Sequence, residues 1–65
     1  MNPTTLTALK TAHKKMQGLI EELYTSAQTA LDNDDLPDAG LLQSTADKLY
    51  VEAENLDILI LELEG

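Results

Sequence analysis

An all-α fold, an antiparallel two-helix hairpin, is predicted by three observations. Apolar residues recur at alternating steps of three and four along two long stretches. A short acidic segment containing Pro37 separates the stretches near the midpoint of the chain, and the two ladders match when one is read in reverse. The first ladder is Leu6, Leu9, His13, Met16, Ile20, Leu23, Ala27 and Ala30, and the second is Ala39, Leu42, Ala46, Leu49, Ala53, Leu56, Ile60 and Leu63. Both are unbroken heptad seams, the spacing that keeps one stripe of a helix turned toward a partner. Folding the chain back at the break sets Leu6 against Leu63, Met16 against Ala53 and Ala30 against Ala39.

The elements follow in order, within one domain over residues 1–65. Helix 1 is expected over about residues 3–31. Asn2 can cap its free amides, or Thr4 or Thr5 in its place, and Pro3 gives up a donor that would be unpaired in a first turn anyway. Gly18 falls opposite the seam, where a tolerated surface glycine is favoured over a close-contact site. A turn is expected over residues 32–36, because Asp32, Asn33, Asp34 and Asp35 compete for the backbone and Pro37 disfavours helical geometry at Leu36. Helix 2 then covers about residues 37–64, with Asp35 or Leu36 as its cap and Asp38 favouring the positive end of the helix dipole. Across the seam, Met16 meets Ala53, Leu23 meets Ala46 and Ala27 meets Leu42. Small-against-large layers of this kind bring the backbones close together.

The apolar face is wider than two helices can enclose. Leu19, Tyr24, Leu31, Tyr50 and Leu59 flank the seams, and two hairpins joined as a four-helix bundle would bury them. A chain of 65 residues without cysteine lacks disulfides to support a small core, and self-association is the usual remedy. A symmetric homodimer is therefore expected, with burial by a different protein as the alternative. Val51, Ile58 and Leu61 lie outside the seam and make the last turns of helix 2 apolar almost all round. They mark a contact beyond the hairpin, or else complete the dimer core or stand singly in solvent.

Twelve acidic residues against four lysines give a net charge of −8. That balance disfavours nonspecific attraction to nucleic acid or anionic lipid and favours a basic or apolar protein surface as partner. The first residues carry no basic stretch ahead of an apolar run, so no signal peptide is expected. The longest apolar run, Ile58-Leu59-Ile60-Leu61, falls far short of the roughly 20 residues of a membrane span. No membrane association is expected, and a cytoplasmic location is the default. The basic residues other than Lys48 cluster as Lys10, Lys14 and Lys15, beside His13, and folding back brings them near Glu52, Glu54, Asp57, Glu62 and Glu64. Such exposed pairs select antiparallel pairing more than they stabilise it.

Chemistry is sparsely represented. The acidic turn lacks the ligand spacing and glycine of a calcium loop, and no Glu-x-x-His pattern of a di-metal bundle occurs. With one histidine, no cysteine, no arginine and no glycine-rich phosphate loop, no catalytic constellation is present and no cofactor is expected. His13 occupies a seam position facing Leu56. A buried, locally hydrogen-bonded imidazole is the ordinary reading, and a pH-sensitive core among Leu9, Met16 and Leu56 is the sharper one.

The strings Thr7-Ala8-Leu9 with Ala12, and Ala46-Asp47-Lys48-Leu49-Tyr50, together with the alternating small and large core, resemble the Rop-like family of small RNA-binding hairpins. The resemblance implies an antiparallel four-helix-bundle dimer that recognises paired RNA loops along one face of its first helices. The family places an Asn, a Phe, a Gln and a Lys there. This chain has Lys10, Lys14, Gly18 and Thr25 at the corresponding places, so the stacking aromatic and the amide are lost, while Lys10, Lys14 and Lys15 leave a basic patch. In size and helix count the chain also resembles the hairpin co-chaperones of type III secretion needle subunits. The expected role is a regulator, inhibitor or chaperone-like adaptor acting through protein contacts. An RNA-binding modulator, a secretion co-chaperone and a purely structural bundle are the alternatives.

Overall fold

A computed structural model describes residues 2–65. Helix α1 spans Pro3–Asp32 and helix α2 spans Leu36–Glu64, packed against each other as a hairpin with extents of 49 × 15 × 11 Å. Asn2 is the cap of α1: its Oδ1 accepts from the Thr4 amide at 2.8 Å. Thr4 and Thr5 are inside the helix. The hydroxyls of Thr7, Thr29 and Thr45 donate to the carbonyl four residues back, which lets these residues sit within helices without orphaned polar groups.

The connection is shorter than the sequence predicts. Asp32 completes α1, Leu36 opens α2, and only Asn33, Asp34 and Asp35 lie between. The reason is a compact helix stop. The Asp35 amide donates to the Ala30 carbonyl at 2.8 Å and the Asp34 amide to the Leu31 carbonyl at 3.0 Å, with Asp34 at φ 58°. This is the Schellman arrangement, in which one left-handed residue satisfies the last carbonyls of a helix. Glycine usually holds that position, and aspartate is among the few other residues that adopt it at modest cost. Asp35 then serves both helices, since its side chain caps α2 by accepting from the Asp38 amide at 3.3 Å. Pro37 sits within the first turn, where its missing N–H costs nothing.

The core is the expected stripe and nothing more. Buried residues are Ile20, Ala27, Ala39, Ala46, Ala53 and Ile60, and every other seam residue is half-buried. Apart from Asp35, each described residue off the two ladders is exposed. Ala46 is the most enclosed, at 0% exposure, in the layer where the reversed ladders set it against Leu23. No helix among the described residues is long and apolar enough to cross a membrane.

Candidate functional site: the two broad sides of the hairpin

In heptad notation, Leu6, His13, Ile20 and Ala27 of α1 and Ala39, Ala46, Ala53 and Ile60 of α2 occupy positions a. The remaining seam residues occupy positions d. At about 100° per residue, position e lies beside a and position g lies beside d. In an antiparallel pair the e positions of both helices share one side and the g positions share the other.

The contacts agree with this division. Lys10 and Glu64, both at e, form an ion pair at 2.8 Å. One groove is lined by Tyr24, Leu31 and Gln43 at e together with Ala27 and Ala39 at a. A second is lined by Gln17, Tyr50 and Asp57 at e with His13, Ile20 and Ala53 at a. The a/e side is thus mixed in character. The Tyr24 hydroxyl donates to the Asp47 carboxylate across the helices, and that bond, reinforced by burial and the adjacent charge, raises the Tyr24 pKa above the usual tyrosine range.

The d/g side is different. It carries Leu9, Met16, Leu19 and Leu23 from α1 and Leu42, Leu49, Leu56, Leu59 and Leu63 from α2, and all eight d residues are only half-buried. Glu52 is the one charged residue at d or g between Leu42 and Leu63, and between Leu9 and Ala30 there is none. Leu19 is 50% exposed and Leu59 42%.

The five residues expected to flank a single wide face are therefore divided. Leu19 and Leu59 stand on the d/g side, whereas Tyr24, Leu31 and Tyr50 stand on the a/e side. Distance from the seam puts all five in one set, because it does not register which way around the helix each residue lies. The half-buried leucines at d form a row with few charged neighbours. The sequence holds a signal for them, since every d residue of α2 is leucine and three of its four a residues are alanine.

The lysines are also divided. Lys10 is engaged with Glu64, Lys14 is one step further out on the same side, and Lys15 lies toward the d/g side; all three are exposed. Of the ion pairs expected between the Lys10–Lys15 region and the acidic end of α2, that with Glu64 is the one formed among the described residues. His13 is half-buried and opens into the groove it shares with Glu54 and Asp57, because two helices close only the centre line of the seam. Val51, Ile58 and Leu61 are all more than half exposed on the outer surface of α2. At the turn, Asp38 is held above the usual carboxylate range by its hydrogen bond to Asp35 and by that residue's charge. No cluster of metal-ligating side chains occurs among the described residues. Compared with protein-family models, curated proteins and solved structures, the chain matches none.

Proposed function

We propose that this chain is a small acidic protein–protein interaction module that works as a regulator, inhibitor or chaperone-like adaptor, and that its working form is a symmetric homodimer joined through the d/g side. The observation that carries this reading is the row of half-buried leucines at d flanked by the exposed Leu19 and Leu59. The surface area supports it. A compact monomer of 7.1 kDa exposes about 4100 Å², whereas the hairpin exposes 4808 Å². The excess is close to the roughly 800 Å² that each partner of a stable complex buries. A two-fold axis over the centre of the d/g side would stack leucine on leucine, with Glu52 the one charged residue between Leu42 and Leu63 drawn into the contact.

The RNA-binding reading implied by the Rop-like resemblance draws less support. Lys10 is neutralised by Glu64, and the three lysines do not share one side. Light scattering coupled to size-exclusion chromatography tests the proposal: a mass of two chains at micromolar concentration is expected, and a single-chain mass would overturn it. A salt-dependent titration with paired RNA loops, run beside Lys14→Glu, is expected to show no binding that the substitution weakens.

A further inference from the structure

The turn end of the a/e side holds a groove of about 430 Å³ whose walls are Tyr24, Leu31, Leu36 and Gln43 and whose floor is Ala27, Ala39 and Gly40. Its apolar walls stand open: Leu31 is 48% and Leu36 65% exposed. Gly40 contributes to the opening, because a side chain there would project into empty space. The surroundings carry one sign of charge. Every charged residue from Met16 to Asp47 is acidic, and Asp32, Asp34 and Asp35 lie at the adjoining turn. The lining is itself uncharged, but the Gln28 amide at its edge donates to the Asp32 carboxylate at 2.9 Å and the Tyr24 hydroxyl to that of Asp47. A hydrophobic slot with carboxylates just beyond its edge is complementary to a segment that is apolar on one face and basic on the other.

We propose that this groove docks a basic amphipathic helical segment of a partner protein, its apolar face against Leu31 and Leu36 and its lysines or arginines toward the turn aspartates. The site rests on the reading of the chain as an interaction module and says where its heterologous partner binds. It lies on the side opposite the proposed dimer contact, so one dimer offers two such grooves. A second copy of this chain, with its net charge of −8, is a poor occupant for a groove beside Asp32 and Asp47. Glycine at position 40, in the second turn of α2, costs the helix about 1 kcal/mol relative to alanine and leaves the slot wider than a long side chain there would.

The test uses the full chain and a fluorescein-labelled synthetic helix of about 14 residues, long enough to span about 20 Å, with leucine on one face and lysine on the other. A version with glutamate for lysine and a version with glutamine for leucine are the controls. Saturable binding by anisotropy is expected for the leucine–lysine helix alone, with amide shifts in the isotope-labelled chain centred on Leu31, Leu36 and Gly40. Gly40→Gln should weaken binding about tenfold while raising the melting temperature. Leu31→Gln, which removes a wall without filling the slot, should weaken binding too. The proposal is overturned by absence of saturable binding, by equal binding of the leucine-free helix, by shifts centred on Leu19 and Leu59, or by unchanged affinity in Gly40→Gln. Light scattering on the same samples separates the two readings. A single-chain mass with binding intact at Gly40 removes the dimer and keeps the groove, and a dimer that does not bind removes the groove alone.

Discussion

The a/e and d/g sides of the hairpin are built from the same two helices and the same seam, yet they present different chemistry to a partner. On the a/e side six of the eight seam residues, four alanines and two isoleucines, are buried, and the flanking positions carry two tyrosines, an ion pair and a tyrosine–carboxylate bond that water can reach. On the d/g side the seam residues are mostly large and half-buried, and the flanking leucines extend the apolar surface outward. A heptad seam therefore has two edges, and burial follows the edge more than the size of the residue on it: six of the eight a residues are buried, Ile20 and Ile60 among them, and none of the eight d residues is, Ala30 included. The outer part of the d row is left for a second layer to cover.

Charge placed on the d/g side is the severest challenge to this contrast. Leu19→Glu combined with Leu59→Glu should dissociate the proposed dimer, because each substitution occurs in both copies. At about 2 kcal/mol for each leucine removed from a buried interface, a factor of a thousand or more in Kd is expected. Tyr50→Glu, on the other side, should leave the mass measured by light scattering unchanged. Monomers from Tyr50→Glu and dimers from the leucine pair would reverse the assignment of the two sides.

Enlarging the shared interior should affect both sides equally. Ala46 is wholly enclosed, and Ala46→Leu should cost about 2–3 kcal/mol by overpacking, read as a lowered denaturant midpoint. Two smaller gains concern the helices themselves. Asp34→Gly should stabilise by roughly 1 kcal/mol, since Asp34 holds a left-handed conformation that glycine adopts freely. Gly18→Ala should gain about 1 kcal/mol, because a methyl group there meets nothing within 4 Å.

Changes in pH probe the polar features of the a/e side and the turn. Asp38 binds its proton more tightly in the folded chain than in the unfolded one, so its contribution to stability is present below its ordinary pKa of 3.8 and is lost as pH rises through the raised value. Thermal melts should therefore show a gain on acidification into the carboxylate range that Asp38→Asn diminishes. Tyr24 behaves alike at the other extreme: its contribution is intact below pH 10.0 and is lost as pH rises through its raised pKa, a loss that Tyr24→Phe should abolish. The least effect is expected from Lys10→Ala, within about 0.5 kcal/mol, because the exposed pair with Glu64 is well screened.

Most of this architecture can be read from the amino acids in order. The two ladders name the residues that the structure buries or half-buries, although His13 is half-buried and open to a groove rather than the buried, hydrogen-bonded imidazole expected. Asn2, Asp35 and Pro37 mark helix starts through their side-chain chemistry. The turn reads as longer than it is. Aspartate in the left-handed stop position gives no sequence signal comparable to glycine, and a run of aspartates looks like loop until the bonds from Asp34 and Asp35 to Leu31 and Ala30 are seen. Lys10, Lys14 and Lys15 look like one patch because they are close in number, although successive residues on a helix point in different directions.

The hairpin itself follows from the sequence, because a heptad repeat broken once and mirrored about the break has one way to bury its stripe. Which flanking residues share a side, and which leucines stay half-exposed, emerges only when the two helices are in contact. That outcome depends on the direction in which each seam residue then leans, and an apolar pattern along a line carries no record of it.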